Sequence, residues 1–182
     1  EGMTDPRSLA QTARYLSREE CQAIATKALG FVTTTDGARV NISSASQGNT
    51  RFAVNQVSTG GDSCDTSVTV TAHVGRRSGS SRTNQLDDAS LRQAVDTAER
   101  IARLAPEDPE FMPELGPQEY QPGRNWSDAT ASLDPKGRAN AVRAITAPAS
   151  SGQLVSTGFL DARAGANAVA NTNGLFAYTR GT

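Results

Sequence analysis

The segment from Gly75 to Glu107 constrains the fold most strongly, because small polar residues punctuated by glycine run directly into a long amphipathic stretch. Apolar residues recur in that stretch at spacings of three and four, and they are Leu91, Val95, Ala98, Ile101, Ala102 and Ala105. This period predicts a helix over residues 89–105 with one face against a core. Asp87-Asp88 supplies an acidic cap at its start, and Pro106 ends it.

The segment from Phe31 to Gln85 has a period of two. Its most regular part places Val68, Val70, Ala72 and Val74 on one face and Ser67, Thr69, Thr71 and His73 on the other. Turn-forming residues recur at Asp36-Gly37, Gln47-Gly48-Asn49, Gly60-Gly61-Asp62 and residues 75–79. We therefore expect an antiparallel β-meander of at least four strands with one apolar and one polar face. Val70 and Val95 should both be buried where helices cover the apolar face.

Two helices are predicted before the sheet. A short one begins at Asp5-Pro6 and continues to Leu16, with proline at a position where the first-turn N–H has no helical partner. A second helix begins at Ser17, because Ser17-Arg18-Glu19-Glu20 is a capping box, and it ends at Gly30. Its apolar stripe has the spacing of a helix that packs on a sheet.

Residues 106–122 hold five prolines with acidic residues between them, so this segment cannot form a regular element. Two alternatives stay open: a linker, or an ordered arm that shelters Phe111, Met112, Leu115 and Tyr120 from water. A helix follows from Asp134-Pro135 to about Ala147, and we expect Ala139, Val142 and Ile145 to face inward. Residues 154–160 resemble a strand, and Asn173-Gly174 predicts a two-residue hairpin turn.

These elements suggest three parts of the chain. Residues 1–105 form a core of helix, antiparallel sheet and helix, residues 106–133 form the arm or linker, and residues 134–182 complete the domain with a helix and a hairpin. The predicted fold class is α/β (α+β), an antiparallel β-meander sheet covered on one face by helices.

The charge balance argues against two classes of partner. The formal net charge of the 182 residues is −1, which is unlike the clustered positive charge that binds nucleic acid or an anionic membrane. No run approaches the roughly 18 apolar residues of a membrane helix, and no signal peptide is visible. We therefore expect a cytoplasmic protein. Cys21 and Cys64 form no CxxC pair, so reduced, structural thiols are favoured over a single disulfide.

Candidate catalytic residues are few. His73 is the only histidine and has no second imidazole to share a metal ion with, so we expect it to bond neighbouring Ser or Thr hydroxyls. Ser78, Ser80, Ser81 and Thr83 have no motif that would make one of them a nucleophile. Residues 75–79, with Arg76 and Arg77, lack the Gly-Lys-Ser/Thr ending of a phosphate loop. Asp87-Asp88 reads as a helix cap, and Glu107, Asp108 and Glu110 lie in the proline-rich segment. We predict no catalytic, cofactor-binding or metal-binding residue in this chain.

The order of these features resembles the N-terminal domain of the TldD/PmbA family. The resemblance rests on Ser81-x-Thr83-Asn84 before the Asp87-Asp88 helix start, on the helix itself, and on the closing segment from Val169 to Gly174. That family comprises zinc metallopeptidases once described as modulators of DNA gyrase. Its active members carry a His-Glu-x-x-x-His metal motif in a C-terminal domain, and this chain has no such motif.

The resemblance implies a role in a longer protein. It implies a non-catalytic domain that contributes to dimerisation, homo- or heterodimeric, and to a chamber for unfolded peptides, with zinc and proteolysis in the C-terminal domain. Whether the parent is an active enzyme stays open. The alternative is a stand-alone binding or scaffold module, or an inactive partner subunit without protease activity.

Overall fold

The computed structural model describes residues 15–34, 36–121 and 123–182, and they form a five-stranded antiparallel sheet with helices. The strand order is β3-β2-β1-β4-β5. The elements are α1 (Arg18–Leu29), β1 (Ala38–Ala53), β2 (Gln56–Val74), β3 (Arg77–Thr83), α2 (Asp88–Leu104), α3 (Asp128–Ala131), α4 (Pro135–Ser151), β4 (Gly158–Asn171) and β5 (Phe176–Gly181). The predicted fold class is confirmed. The predicted helix at 5–16 lies mostly outside the described residues.

The core lies between the sheet and the first two helices. Val70 and Val95 are both fully buried, as predicted, in a cluster that joins α1, α2 and the even-numbered side chains of β1 and β2. The capping box at Ser17 is confirmed, since Ser17 Oγ accepts from the Glu20 amide and Glu20 accepts from the Ser17 amide. Asp87 caps α2 by accepting a hydrogen bond from the Ser90 amide at 2.9 Å.

The prediction of at least four strands between Phe31 and Gln85 is wrong, because three long strands occupy that segment. The two expected turns at residues 47–49 and 60–62 lie opposite each other inside β1 and β2, where Gly48 pairs with Asp62. Glycine at position 48 allows the buried Arg138 side chain to pack against the strand and does not form a turn. A Cβ there would lie 2.1 Å from Nη1 of Arg138. The chain instead reverses at Val54-Asn55, with φ of 51° and 61°. A β-branched residue rarely takes this conformation, so the sequence did not indicate the turn.

The C-terminal half completes the sheet with two differences from the prediction. Helix α4 begins after Asp134 as expected, but it ends at Ser151 and buries Arg138, Val142 and Thr146, whereas Ile145 is half exposed. The hairpin between β4 and β5 exists, but the predicted two-residue turn is wrong. Within this loop only Gly174 has positive φ, at 87°, and its amide donates to the Asn171 carbonyl. The loop is therefore longer than a two-residue turn and contains a β-bulge. Strand β4 begins at Gly158, four residues later than expected.

The two cysteines lie apart and are not joined by a disulfide. Cys21 is buried in the core, where desolvation, with a smaller contribution from Glu20, raises the pKa of its thiol to about 11. Cys64 is exposed on β2. Among the described helices none is long and apolar enough to cross a membrane.

Candidate functional site

The sheet face opposite α1 and α2 carries small polar side chains in register across the strands. One row consists of Ser67, Ser43, Asn167 and Thr179, and the next of Arg82, Thr69, Asn41, Val169 and Ala177. These rows form the floor of a groove of about 550 Å³, and Tyr120 stands at its side. Hydroxyl and amide groups can both donate and accept hydrogen bonds, so this polar face suits a ligand rich in amides.

The proline-rich segment is an ordered arm that crosses one end of this face. It begins at the β2–β3 turn, where the Asp108 amide donates to the Arg76 carbonyl at 2.8 Å. It reaches the outer edge of β5, where the Tyr120 hydroxyl accepts from the Tyr178 amide and donates to the Phe176 carbonyl. Residues 106–121 therefore lie against the sheet as an arm. They do not shelter Met112 and Leu115, which are 79% and 63% exposed.

Glu114 anchors the arm to three strands. Its side chain is buried, and Oε1 lies 3.2 Å from Nη1 of Arg39 on β1 and 2.9 Å from Nε2 of His73 on β2. Asn171 on β4 donates to Oε2 at 3.4 Å and to the Leu115 carbonyl at 2.7 Å. Each donor comes from a different strand, so one carboxylate fixes the arm across the middle of the sheet.

His73 links Glu114 to a hydroxyl on the next strand. Nε2 donates to the Glu114 carboxylate, which can only accept, and Nδ1 lies 2.9 Å from Ser78 Oγ, within hydrogen-bond distance. The predicted bond from His73 to a neighbouring hydroxyl is thus confirmed. The histidine is nevertheless buried rather than on an open face, because the arm covers it and the Phe111 ring packs edge-on at 5.2 Å.

This cluster is a poor fit for zinc. His73 and Glu114 supply two donors, whereas a structural zinc site takes four and a catalytic one takes three plus water. Arg39 places a positive charge on the same carboxylate oxygen, which opposes a cation there. Among the described residues, no group of three or more His, Cys, Asp or Glu side chains is placed to hold a metal ion.

The other candidate residues occupy structural positions. Asp87 caps α2, and the hydrogen bonds from Ser90 hold the pKa of its carboxyl below its usual value. Asp88 pairs with Lys27 at 2.7 Å. The hydroxyls of Ser80 and Thr71 lie 2.8 Å apart across β2 and β3.

The two arginines beside Gly75 also have partners in the protein. Arg76 donates to the Pro109 carbonyl, and Arg77 pairs with Glu107 at 3.5 Å. Both guanidinium groups beside the turn at Gly75, where φ is 60°, are therefore engaged within the protein.

The open edge of the sheet lies on β2, a location that sequence reasoning did not indicate. Strand β3 pairs with β2 only from Val68 to Val74, whereas β1 pairs with it from Gln56 to Ala72. Over residues 56–67, no strand in the described part of the chain pairs with the outer side of β2. Side chains from 56 to 65 are all exposed. The predicted turn at 60–62 concealed this edge, because it divided one strand of 19 residues into two short ones.

Comparisons with known proteins agree on the fold. Residues 38–102 match the family model for PmbA/TldA metallopeptidase domain 1. The chain is similar to TldE from Thermococcus kodakarensis, with 13% identity and a TM-score of 0.74 over 88% of this chain and 36% of that one.

Two further solved structures are described as candidate modulators of DNA gyrase. The one from Thermotoga maritima has 13% identity and a TM-score of 0.74 over 88% of this chain and 37% of its own. The one from Bacteroides thetaiotaomicron has 16% identity and a TM-score of 0.76 over 89% and 39%.

No curated protein matches the sequence. The chain spans little more than a third of the length of these solved structures. The match of residues 38–102 to the first domain of this family, together with the shared fold, confirms the resemblance to the N-terminal domain of TldD/PmbA proteins that the sequence indicated.

Proposed function

We propose that this chain is the non-catalytic N-terminal domain of a TldD/PmbA-like metallopeptidase and forms one wall of a chamber that receives unfolded peptides. Zinc and proteolysis belong to a C-terminal domain of the longer protein. The metallopeptidase description of the matched family supports the reaction class. A poor donor set around His73 supports the assignment of chemistry to another domain.

The open edge of β2 carries the proposal. Along residues 56–67, alternate residues point their backbone N–H and C=O groups away from β1, and no strand of the described structure pairs with them. An extended peptide can pair with these groups as an additional strand. Main-chain hydrogen bonds do not depend on the peptide's side chains, so this pairing tolerates many sequences. On the other side of the sheet, Tyr120 of the arm caps β5, and β4 has no strand on its outer side over residues 158–164, because β5 pairs only with residues 165–170. The β2 side therefore offers the longer of the two open stretches.

The affinity of such a site is expected to be low. Fixing the backbone of one peptide residue costs about 1–2 kcal/mol, and a backbone hydrogen bond contributes a net ~1 kcal/mol. The two nearly cancel, so backbone pairing alone leaves little net binding free energy, and we expect a Kd in the millimolar range or weaker. Low affinity is consistent with a domain that forms only one wall of the peptide chamber and holds the peptide together with a second surface of the longer protein.

Dimerisation and a cytoplasmic location complete the proposal. Dimerisation rests on the family resemblance, and the partner would be a TldD/PmbA-like subunit, either identical or different. The cytoplasmic location is the expectation drawn from the sequence. A role in nucleic-acid binding has no support from a net charge of −1.

Titration of the isotope-labelled chain with unfolded peptides of varied sequence tests the proposal. We expect backbone amide shifts at residues 56–67, millimolar affinity, and recovery of the peptides intact. The same titration of a variant with Cys64→Pro should give weaker shifts. The His73 amide bonds the Gly37 carbonyl, so alternation points the Cys64 N–H away from β1, and proline removes that N–H from the open edge.

Two results would count against it. Cleavage of the peptides by this chain, resistant to chelators and abolished by a single substitution within it, contradicts the non-catalytic assignment. Failure of both this chain and a longer form of the protein to bind any unfolded peptide contradicts the chamber wall and favours the scaffold alternative.

A further inference from the structure

The polar side chains on the floor of the groove have no partners in the described part of the protein. Their hydroxyl and amide groups make no hydrogen bond to another side chain or to the backbone within residues 15–34, 36–121 and 123–182. These residues are Asn41, Ser43, Ser67, Thr69, Asn167 and Thr179. Hydroxyls that face each other elsewhere on this side of the sheet do pair, as those of Thr71 and Ser80 do at 2.8 Å. The groove floor therefore keeps donors and acceptors available to a ligand.

Ser67 shows that this floor is recessed. The residue is only 6% exposed, and it lines the groove although its hydroxyl has no hydrogen-bond partner among the described residues. Polar groups this deeply buried are normally hydrogen-bonded in folded proteins. Ser43 lies directly opposite on β1, so two hydroxyls face one position at the centre of the groove. A ligand atom at that position would satisfy both.

Arg82 supplies the only charge among the residues that line the groove. It lies on β3 opposite Thr69, and its guanidinium forms no ion pair with a described residue. Neighbouring charges on this face do not offset it. Glu114 is engaged by Arg39 at 3.2 Å, and Asp65 lies four residues from Thr69 along β2, about 13 Å away at ~3.3 Å per residue. The groove is therefore positive at the β3 end.

The strand register places the guanidinium next to neutral donors and acceptors. Arg82, Thr69 and Asn41 form one row across β3, β2 and β1, which covers about 10 Å because neighbouring strands are ~4.8 Å apart. A guanidinium can bind a carboxylate through two parallel N–H groups, and the hydroxyl and amide beside it can bond peptide groups. One arginine matches the single charge of a carboxylate, whereas sites for phosphorylated ligands are typically built from clusters of arginines.

We propose that this groove binds the C-terminal end of a peptide, with the terminal carboxylate on Arg82 and the last peptide groups on the unpartnered hydroxyls and amides. The site rests on the peptide-receiving role proposed above and adds a second contact surface to it. Strand addition on β2 pairs the middle of an extended chain, whereas the groove recognises the end of the chain.

Titration of the isotope-labelled chain with two N-acetylated three-residue Ala/Ser peptides tests this site. One peptide has a free C-terminal carboxylate, and the other has the same sequence with a C-terminal amide. We expect the free acid to shift the side-chain amide signals of Asn41 and Asn167 and to bind about fivefold more tightly than the amide. The difference should shrink as salt is added, because the Arg82 charge is exposed.

Substitutions separate the charge from the floor. Arg82→Gln should remove the preference for the free acid. Arg100→Gln is the matched control and should keep the preference, because Arg100 is an exposed arginine of α2, which packs on the opposite face of the sheet. Ser67→Ala should weaken binding of both peptides without lowering Tm, since its hydroxyl has no partner in the described structure to lose.

The outcomes distinguish the groove from the open edge of β2. Shifts at the backbone amides of residues 56–67, without changes at Asn41 and Asn167, overturn the groove site and leave strand addition intact. Equal binding of the free acid and the amide overturns the carboxylate contact. Displacement of the free acid by an equal concentration of acetate or inorganic phosphate overturns the peptide assignment, because a simple anion then suffices. Absence of shifts in both regions, with these and with longer peptides, overturns this site and the proposed function together.

Discussion

Replacing Gly79 with alanine is expected to destabilise the domain by about 3 kcal/mol, which lowers Tm by roughly 6–12 °C for a chain of this size. Gly79 lies on β3 against α2, and a Cβ there would be 2.3 Å from the Ala98 carbonyl oxygen and 2.3 Å from the Ala102 nitrogen. Both are backbone atoms of a helix whose inner face is buried, so no side chain can move aside. Thermal unfolding measures the effect.

Gly61→Ala is the control for this substitution. Gly61 is also in a strand, but a Cβ there meets no atom within 4 Å. Its replacement should not lower Tm, because the new methyl group meets no neighbouring atom and alanine loses less chain entropy on folding than glycine. Equal Tm values for the two variants would contradict the close packing of α2 on β3.

Glu114→Ala is expected to release the arm and to cost about 2–4 kcal/mol in the free energy of unfolding. The substitution leaves the buried His73 ring without its acceptor and removes the carboxylate that pairs with Arg39. Residues 106–121 should then be cleaved by a protease at concentrations that leave the parent chain intact. Urea unfolding and limited proteolysis are the two measurements.

Glu110→Ala on the same arm is the matched control, because that side chain is exposed and far less constrained. It should leave both the urea midpoint and the proteolysis pattern unchanged. Glu114→Gln should fall between the two variants, since an amide keeps the shape but has no charge for Arg39. An arm in Glu114→Ala that resists protease as well as the parent would show that other contacts hold it.

Local signals in the sequence predicted the helices well. The capping box at Ser17, the acidic cap at Asp87 and the Asp134-Pro135 start each specify a helix end by hydrogen bonds within four residues, so no tertiary information was required. Alternation in residues 67–74 likewise predicted the burial of Val68, Val70 and Ala72, because a strand has only two faces. It did not predict that Ser67 and His73 on the other face are also buried or that Val74 is only half-buried.

Long-range packing determined what the sequence did not indicate. Gly48 looked like a turn residue, yet its function is to admit Arg138, which is 90 positions away. Glu114 lies in a proline-rich segment with no periodicity, and only the fold shows that Arg39, His73 and Asn171 converge on it. The open edge of β2 depends on where β3 ends, and strand pairing cannot be read from one strand alone.

Hydrogen–deuterium exchange of the backbone amides, with and without saturating unfolded peptide, tests the central claim most directly. Strand addition predicts slower exchange at those amides of residues 56–67 that point away from β1, with smaller changes on the polar groove floor at Asn41 and Thr69. Protection confined to the groove, or to a surface that includes neither β2 nor the groove, would contradict the account.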